Sequence, residues 1–125
     1  TQMIVHKGLY YLFFSTHASN YKPASANEHG SFGGLHCYYS NRLFGKYRPV
    51  NENGVVFGNG SDLYAVRLLH DNKNDFLTIG WINKEKDKKI IGKLSLPCKI
   101  RIEKDKVYKL WEAILFKSQW MVGID

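Results

Sequence analysis

The feature of this sequence that most constrains its fold is a succession of short apolar runs separated by turn residues. Short runs of this kind, bounded by Gly, Pro, Asn and Asp, are typical of strands, and an aromatic content of 14% suits pleated sheet faces. The pattern predicts strands over residues 2–6, 10–16, 35–40, 55–57, 63–69, 76–82, 90–96, 99–103 and 107–110. It therefore indicates an all-β protein built from antiparallel strands.

Three segments qualify this pattern. The near-continuous apolar run "YYLFFST", residues 10–16, predicts a strand buried on both faces. Residues 17–34 form a long loop rich in Ser, Asn, Gly and Ala, and residues 84–89 form a charged turn. The spacing of Trp111, Ile114, Leu115 and Phe116 in the tail fits either a helical turn or a final strand.

Composition narrows the function classes. The chain has 125 residues, a net charge of +7 and a pI near 9.4, and this basic balance raises the question of a nucleic-acid partner. Most of the excess lysines lie in the last third, where acids interleave and no Phe or Tyr stands among the central lysines for base stacking. We interpret them as solvated hairpin tips and outer strands and do not expect nucleic acid.

Targeting signals and cysteines say little about the location or the partners of the chain. No apolar run approaches the ~20 residues that span a bilayer, so no membrane partner is predicted. The first residues lack a signal-peptide layout and an initiator Met, which favours part of a longer product. Cys37 and Cys98 are too few for a disulfide framework, and their pairing and the cellular location are left open.

Common catalytic arrangements are mostly missing. His29 and the His36-Cys37 pair are neighbours, but the second half offers no ligands at metal-binding spacing, so neither a metal nor a cofactor is predicted. No Gly-x-Ser-x-Gly elbow marks a serine nucleophile. Asp62 and Glu28 are candidates for the paired carboxylates of glycoside hydrolysis, although a complete pair within this chain is not expected.

Several motifs in consistent order resemble a known family. The segment from Asp62 resembles the last propeller blade of glycoside hydrolase family 32, which includes invertases, inulinases and levanases. The resemblance rests on Asp62-Leu63-Tyr64-Ala65, Gly80-Trp81-Ile82 and Gly92-Lys93-Leu94-Ser95-Leu96-Pro97. "GLYYLFFS" is similar to a strand of blade four, and "YYSNRLFGKYRPVNENGVV" is similar to a segment of the family 68 levansucrases. Families 43 and 68 share the propeller, and which of these families is nearest is left open.

The resemblance implies antiparallel four-stranded blades of a five-bladed β-propeller, of which about two are present. It predicts a blade-four-like unit over residues 1–57, a blade-five-like unit over residues 58–110, and a tail of unclear structure over residues 111–125. The chain departs from the pattern at Leu63, where Phe is usual, and at Cys98, where Arg is usual.

The family's catalytic residues lie on its first three blades, in two Asp-Pro motifs and one Glu-Cys motif. The three prolines here follow Lys22, Arg48 and Leu96, and the two cysteines follow His36 and Pro97. No catalytic residue of the family is therefore expected in this chain, and whether the chain alone is an enzyme is left open.

The resemblance also suggests substrate contacts. Asp62 would begin an inner strand and hydrogen-bond sugar hydroxyls, and Trp81 would lie under a sugar ring. Glu28 and His29, in the long loop, would contact an acceptor sugar. The alternative roles are a turn cap for Asp62, inter-blade packing for Trp81 and a solvated loop for Glu28 and His29.

The predicted function is the C-terminal part of a propeller glycosidase that acts on β-fructosides by double displacement, with this chain supplying pocket walls. The alternative is a non-catalytic carbohydrate-binding or assembly module derived from such a propeller. Two blades leave two sheet faces without neighbours. The predicted partners are therefore carbohydrate together with the missing blades or copies of the chain itself.

Overall fold

The computed structural model describes residues 1–20, 33–57, 63–72, 74–86 and 89–111. These residues form ten strands and one short 3₁₀ helix, Ala18–Asn20, and none of their helices is long and apolar enough to cross a membrane. The strands are β1 Gln2–His6, β2 Leu9–Thr16, β3 Gly34–Ser40, β4 Arg48–Pro49, β5 Val55–Phe57, β6 Leu63–His70, β7 Asp75–Lys86, β8 Lys89–Leu94, β9 Cys98–Glu103 and β10 Lys106–Trp111. The expectation of an all-β fold with antiparallel pairing is confirmed.

The first sheet contains β1 to β5. Strands β1, β2 and β3 pair in sequence, and β4 and β5 both pair with the remaining edge of β3. The β1–β2 hairpin closes through two residues, Lys7 at φ +48° and Gly8 at φ +77°. Positive φ at both central positions identifies a type I′ turn, whose twist matches that of the flanking strands.

The second sheet repeats this arrangement with β6 to β10. Strand β6 pairs with one edge of β7, and the other edge pairs first with β9 and then with β8, while β10 lies outside β9. In both sheets two short strands together fill one position. Each sheet therefore has four strand positions, as expected for a blade.

The two sheets pack face to face around one core. The inner face of the first sheet contributes Tyr11, Phe13, Leu35 and Cys37, and the second contributes Val66, Leu68, Phe76, Ile100, Ile102 and Val107. Polar contacts fix the sheets to each other: the Gln2 side chain donates to the carbonyl of Leu68 and accepts from its amide. The Tyr11 hydroxyl donates to the Lys104 carbonyl at 2.8 Å.

Two local predictions differ from the structure. Strand β2 is buried on one face only: Tyr11 and Phe13 are 1% exposed, whereas Tyr10, Leu12 and Phe14 are half-buried. The reason is that only the inner face packs against the second sheet. The charged turn is shorter than predicted, because cross-strand pairing continues to Lys86 and resumes at Lys89.

Several strand ends also differ from the predicted bounds. Strand β8 ends at Leu94 rather than at residue 96. This end lies three residues before Pro97, which has no amide proton to donate to a neighbouring strand. Strand β10 extends to Trp111, and the rest of the tail lies outside the described residues.

Candidate functional site

A bulge in β6 explains why the strand opposite it carries a glycine before Trp81. Tyr64 pairs with Trp81 and Arg67 pairs with Ile79, so two residues, Ala65 and Val66, face Gly80 alone. A Cβ on Gly80 would lie 2.8 Å from Cγ2 of Val66 and 3.3 Å from the carbonyl oxygen of Tyr64. Only glycine fits here without a shift, and the bulge changes the direction in which the start of β6 projects.

The ends of the two sheets meet beside this bulge. The imidazole of His17, just after β2, stacks on the ring of Tyr64, with centroids 4.7 Å apart and an interplanar angle of 12°. The amide of Val66 donates to the Ser15 hydroxyl at 3.4 Å, which ties β6 to β2 at the same level. His17 is exposed and Tyr64 is half-buried. The pair offers a flat aromatic surface with ring nitrogens and a hydroxyl at its rim.

Trp81 lies near this stack in the sheet. It pairs with Tyr64 on one side and Leu94 on the other, and it is 49% exposed. Because side chains alternate along a strand, Trp81 shares a face with Leu77 and Ile79, and this face points away from the first sheet. This position is compatible with a contact to sugar and with packing against a neighbouring blade, so both roles stay predictions.

The other predicted site residues cannot be placed beside Trp81. Asp62, Glu28 and His29 all lie outside the described residues. In the sequence, Asp62 directly precedes β6, and Glu28 and His29 lie between the 3₁₀ helix and β3. Their predicted roles therefore stay predictions.

The sequence motifs do not single out His17 or Tyr64 as site residues. The available signal was position: each residue lies at the end of a predicted strand, next to a connection that lacks strand character. Side chains at such strand ends commonly form binding sites.

His36 and the two cysteines have structural environments. His36 is 2% exposed, its Nδ1 lies 3.2 Å from the Gly34 carbonyl, and burial lowers its pKa, so the ring is neutral at neutral pH. Cys37 and Cys98 are buried and do not form a disulfide with each other, and burial raises the pKa of the Cys37 thiol. The described residues include no group of three or more His, Cys, Asp or Glu side chains that could hold a metal.

The most buried described carboxylate is part of an ion-pair network. Asp75 is 3% exposed and accepts hydrogen bonds from Arg101 Nε at 2.7 Å and Nη2 at 3.1 Å. Lys99 lies 3.7 Å away and also pairs with Asp71. The Arg101 hydrogen bonds hold the Asp75 pKa below its usual value, which suits a permanent anion and not a proton donor.

Comparison with known proteins identifies the family. The sequence profile of the levansucrase/invertase family, glycoside hydrolase family 68, matches residues 1–112. The chain belongs to this family. Family 68 was one of the two families that the motifs resembled most, and this part of the interpretation is confirmed.

Similar proteins of known activity support the same family assignment. An extracellular sucrase of Zymomonas mobilis subsp. mobilis is 31% identical over 104 residues, which are 81% of this chain and 24% of that protein. A levansucrase of Pseudomonas syringae pv. actinidiae is 38% identical over 56 residues, covering 45% of this chain and 12% of the relative. The chain thus spans about a quarter or less of the length of these relatives.

Solved structures support the fold. An inulosucrase from Halalkalicoccus jeotgali, bound to kestose, matches with a TM-score of 0.68 and 23% identity over 86% of this chain and 30% of that chain. Bacillus subtilis levansucrase matches with a TM-score of 0.64 and 19% identity over 87% and 26%. The two sheets are antiparallel blades of a β-propeller, about two of five. The assignment of residues 1–57 to blade four and 58–110 to blade five stays a prediction.

Proposed function

We propose that this family 68 chain forms part of the sugar-pocket wall of a five-bladed propeller that acts on β-fructosides, without supplying the catalytic carboxylates. The observation that carries the proposal is the His17–Tyr64 stack, which joins the ends of the two sheets at 4.7 Å. The reaction would be retaining transfer or hydrolysis through a covalent fructosyl-enzyme. Its nucleophile and its acid/base would come from the other blades.

The stack is chemically suited to a sugar. A fructosyl or glucosyl ring presents apolar C–H groups on its faces and hydroxyls around its edge, which is the combination that aromatic pocket walls with a few polar atoms recognise. The exposed His17 ring would meet the sugar, and Tyr64 would hold that ring in orientation from below. Asp62, which directly precedes β6, would add a carboxylate for hydroxyl groups.

The outer faces of both sheets support the need for further blades. The first sheet presents the half-buried Tyr10, Leu12, Phe14 and Tyr38 on its outer face. The second presents Leu69, 57% exposed, in register with Leu77, and Trp81 in register with the 63% exposed Leu94. Apolar surface of this extent favours burial at about 25 cal/mol per Å². We expect neighbouring blades, or copies of the chain, to cover these faces.

Substitution in the protein that contains all five blades tests the pocket-wall role. His17→Ala and Tyr64→Ala are expected to raise KM for sucrose about tenfold or to shift the ratio of transfer to hydrolysis, because the aromatic platform for the sugar is lost. Tyr108→Ala is the matched control, since Tyr108 is a comparably exposed aromatic on β10, away from the stack. Unchanged kinetics in both stack variants would contradict the proposal.

The alternative, a non-catalytic carbohydrate-binding module, is supported by the missing catalytic motifs. Incubating this chain alone with sucrose, inulin and levan separates the two cases. Binding without turnover in a stable monomer would favour the alternative. Turnover by the chain alone would refute the claim that its catalytic groups lie elsewhere.

A further inference from the structure

Strand β6 contains a backbone conformation that its residue type does not favour. Among the described residues, Ala65 is the only one that is not glycine, lies inside a strand and has a positive φ, at +52°. The others with positive φ lie in turns between strands: Lys7, Asn51, Glu52 and Lys104. Alanine in the left-handed region is strained, because its Cβ approaches the following carbonyl oxygen. Such strain persists only where the surrounding structure enforces it, and it is concentrated at functional sites.

Ala65 is the first residue of the bulge, a position that is usually glycine in bulges with a left-handed residue. In regular alternation Tyr64 would lie two residues from the buried Val66 and share its inner face. The extra residue breaks this alternation. Tyr64 is opposite Trp81 in the sheet register, and its half-buried ring lies against His17. The bulge therefore decides where the Tyr64 ring lies.

The bulge is held between two fixed neighbours. On the side of the first sheet, Val66 is 6% exposed and its amide donates to the Ser15 hydroxyl at 3.4 Å. On the opposite strand, the amide of Gly80 donates to the Ser95 hydroxyl at 3.1 Å, and its carbonyl accepts from the Ser95 amide at 2.8 Å. A Cβ on Gly80 would lie 2.8 Å from Cγ2 of Val66. Because there is no room for a methyl group, any side chain at position 80 would displace the bulge.

We propose that the bulge positions the His17–Tyr64 stack for sugar binding. Its positioning residues are Ala65, Val66 and Gly80, none of which touches the sugar itself. They act through Tyr64, whose backbone directly precedes the bulge and whose carbonyl oxygen would lie 3.3 Å from a Cβ on Gly80. The sugar contact rests on the proposed function, whereas the position of the stack does not. A platform that is rigid before the sugar arrives loses less entropy on binding.

Kinetics in the protein that contains all five blades test the proposal. Gly80→Ala is expected to raise KM for sucrose about tenfold while kcat changes less than about twofold, because a displaced platform weakens binding without touching the catalytic groups. Val66→Ala removes the Cγ2 atom that a Cβ at position 80 would meet. The double variant Gly80→Ala, Val66→Ala should therefore return KM to within about threefold of the value for Val66→Ala alone.

Two substitutions at Ala65 test the bulge without disturbing the core, since Ala65 is exposed. Ala65→Val places a β-branched residue in the left-handed region, where it is a steric outlier. It should raise KM in the same direction as Gly80→Ala. Ala65→Gly adopts the same φ without strain and should keep the parental KM. This pair tests the proposal even if Gly80→Ala does not fold.

Nuclear magnetic resonance of labelled histidine reports the stack itself, independently of any sugar. The His17 ring lies on the Tyr64 ring, whose ring current shifts the His17 ring-proton signals upfield in the parent protein. Tyr64→Ala should remove this upfield shift. Gly80→Ala and Ala65→Val should move the His17 signals towards their positions in Tyr64→Ala, and the double variant with Val66→Ala should move them back.

Gly45→Ala is the matched control for Gly80→Ala. A Cβ on Gly45 would lie 2.7 Å from Oγ of Ser40, so this substitution also forces a methyl group into a filled space. Ser40 ends β3 at the end opposite Gly34, and Gly34 pairs with Thr16, the residue before His17. Gly45→Ala should therefore lower stability while leaving KM and the His17 signals unchanged.

Three outcomes would overturn the proposal. The first is parental His17 signals in both Gly80→Ala and Ala65→Val. The second is no recovery in the double variant with Val66→Ala, and the third is an equal rise in KM from Gly45→Ala. If the His17 signals move but KM stays parental even in Tyr64→Ala, the bulge positions the stack and the pocket-wall function is refuted instead.

Discussion

The Asn51 side chain makes three hydrogen bonds that connect the two sheets. Replacing Asn51 tests how much these bonds contribute to the stability of the fold. Its Nδ2 donates to the carbonyls of Val107 at 2.6 Å and Val55 at 3.0 Å, and its Oδ1 accepts from the Val107 amide at 3.1 Å. Its own amide donates to the Asp105 carbonyl at 2.9 Å. One side chain therefore connects β5 to β10.

The expected cost of Asn51→Ala follows from these contacts. Each of the three side-chain hydrogen bonds contributes about 1 kcal/mol. Asn51 also has φ +52°, a left-handed conformation that costs alanine about 1 kcal/mol more than asparagine. We expect the free energy of unfolding to fall by about 3–4 kcal/mol. Asn51→Gly should lose less, because glycine adopts this φ without strain.

Urea unfolding, with the slope held constant across variants, measures this change. The matched control is Asn53→Ala, since the Asn53 side chain accepts one local hydrogen bond, from the Val55 amide. That control should cost about 1 kcal/mol. A loss from Asn51→Ala no larger than that of the control would refute the reasoning, as would a larger loss in Asn51→Gly.

Three further predictions follow from single residues. Asp75→Asn should cost roughly 1–2 kcal/mol at neutral pH, because Arg101 loses its charged partner at a partly exposed site. Since Arg101 holds the Asp75 pKa below its ordinary value of about 4, the stability from this pair is complete above that pH and lost as pH falls through the folded pKa. The Cys37 thiol should resist thiol reagents until the chain is unfolded, because burial raises its pKa. Lys7→Asn should raise stability by about 0.5–1 kcal/mol, because Asn-Gly suits a type I′ turn better than Lys7-Gly8.

Each of these has a direct check. The free energy of unfolding is measured against pH for the parent chain and for Asp75→Asn. A smaller loss of stability at acidic pH in Asp75→Asn than in the parent chain would support the ion pair. Equal losses in the two proteins would contradict it. Rapid labelling of Cys37 in the native state would show that it is accessible. Lys106→Asn is the control for the turn, because Lys106 begins β10 and does not have a positive φ. An equal gain there would show that the turn geometry is not responsible.

The strands were predictable because their cause is local. Short apolar runs between turn residues form strands wherever they occur, and the predicted strands at Gln2–His6 and Val55–Phe57 have the observed bounds. The order of motifs from Gly8 to Pro97 likewise indicates the family. Strand ends were less predictable: pairing with a neighbour extends β7 to Lys86, and residues 83–86 alone do not encode that partner.

The candidate site was only partly predictable because it depends on contacts between distant residues. Trp81 was identified from its motif, but its position on a half-exposed outer face depends on the register of β6 and β8. His17 and Tyr64 are 47 positions apart in the printed sequence, and nothing near either one indicates that their rings stack. The need for glycine at position 80 also depends on two strands, because the bulge that faces Gly80 of β7 lies in β6.

The sequence by itself determined the strand content, the family and the lack of the family's catalytic motifs, because each of these is written in residue type and order. Only the tertiary structure decided which face of β2 is buried and which rings meet at the ends of the sheets. The physical reason is that these properties arise when two sheets pack. Packing joins residues that no local pattern connects.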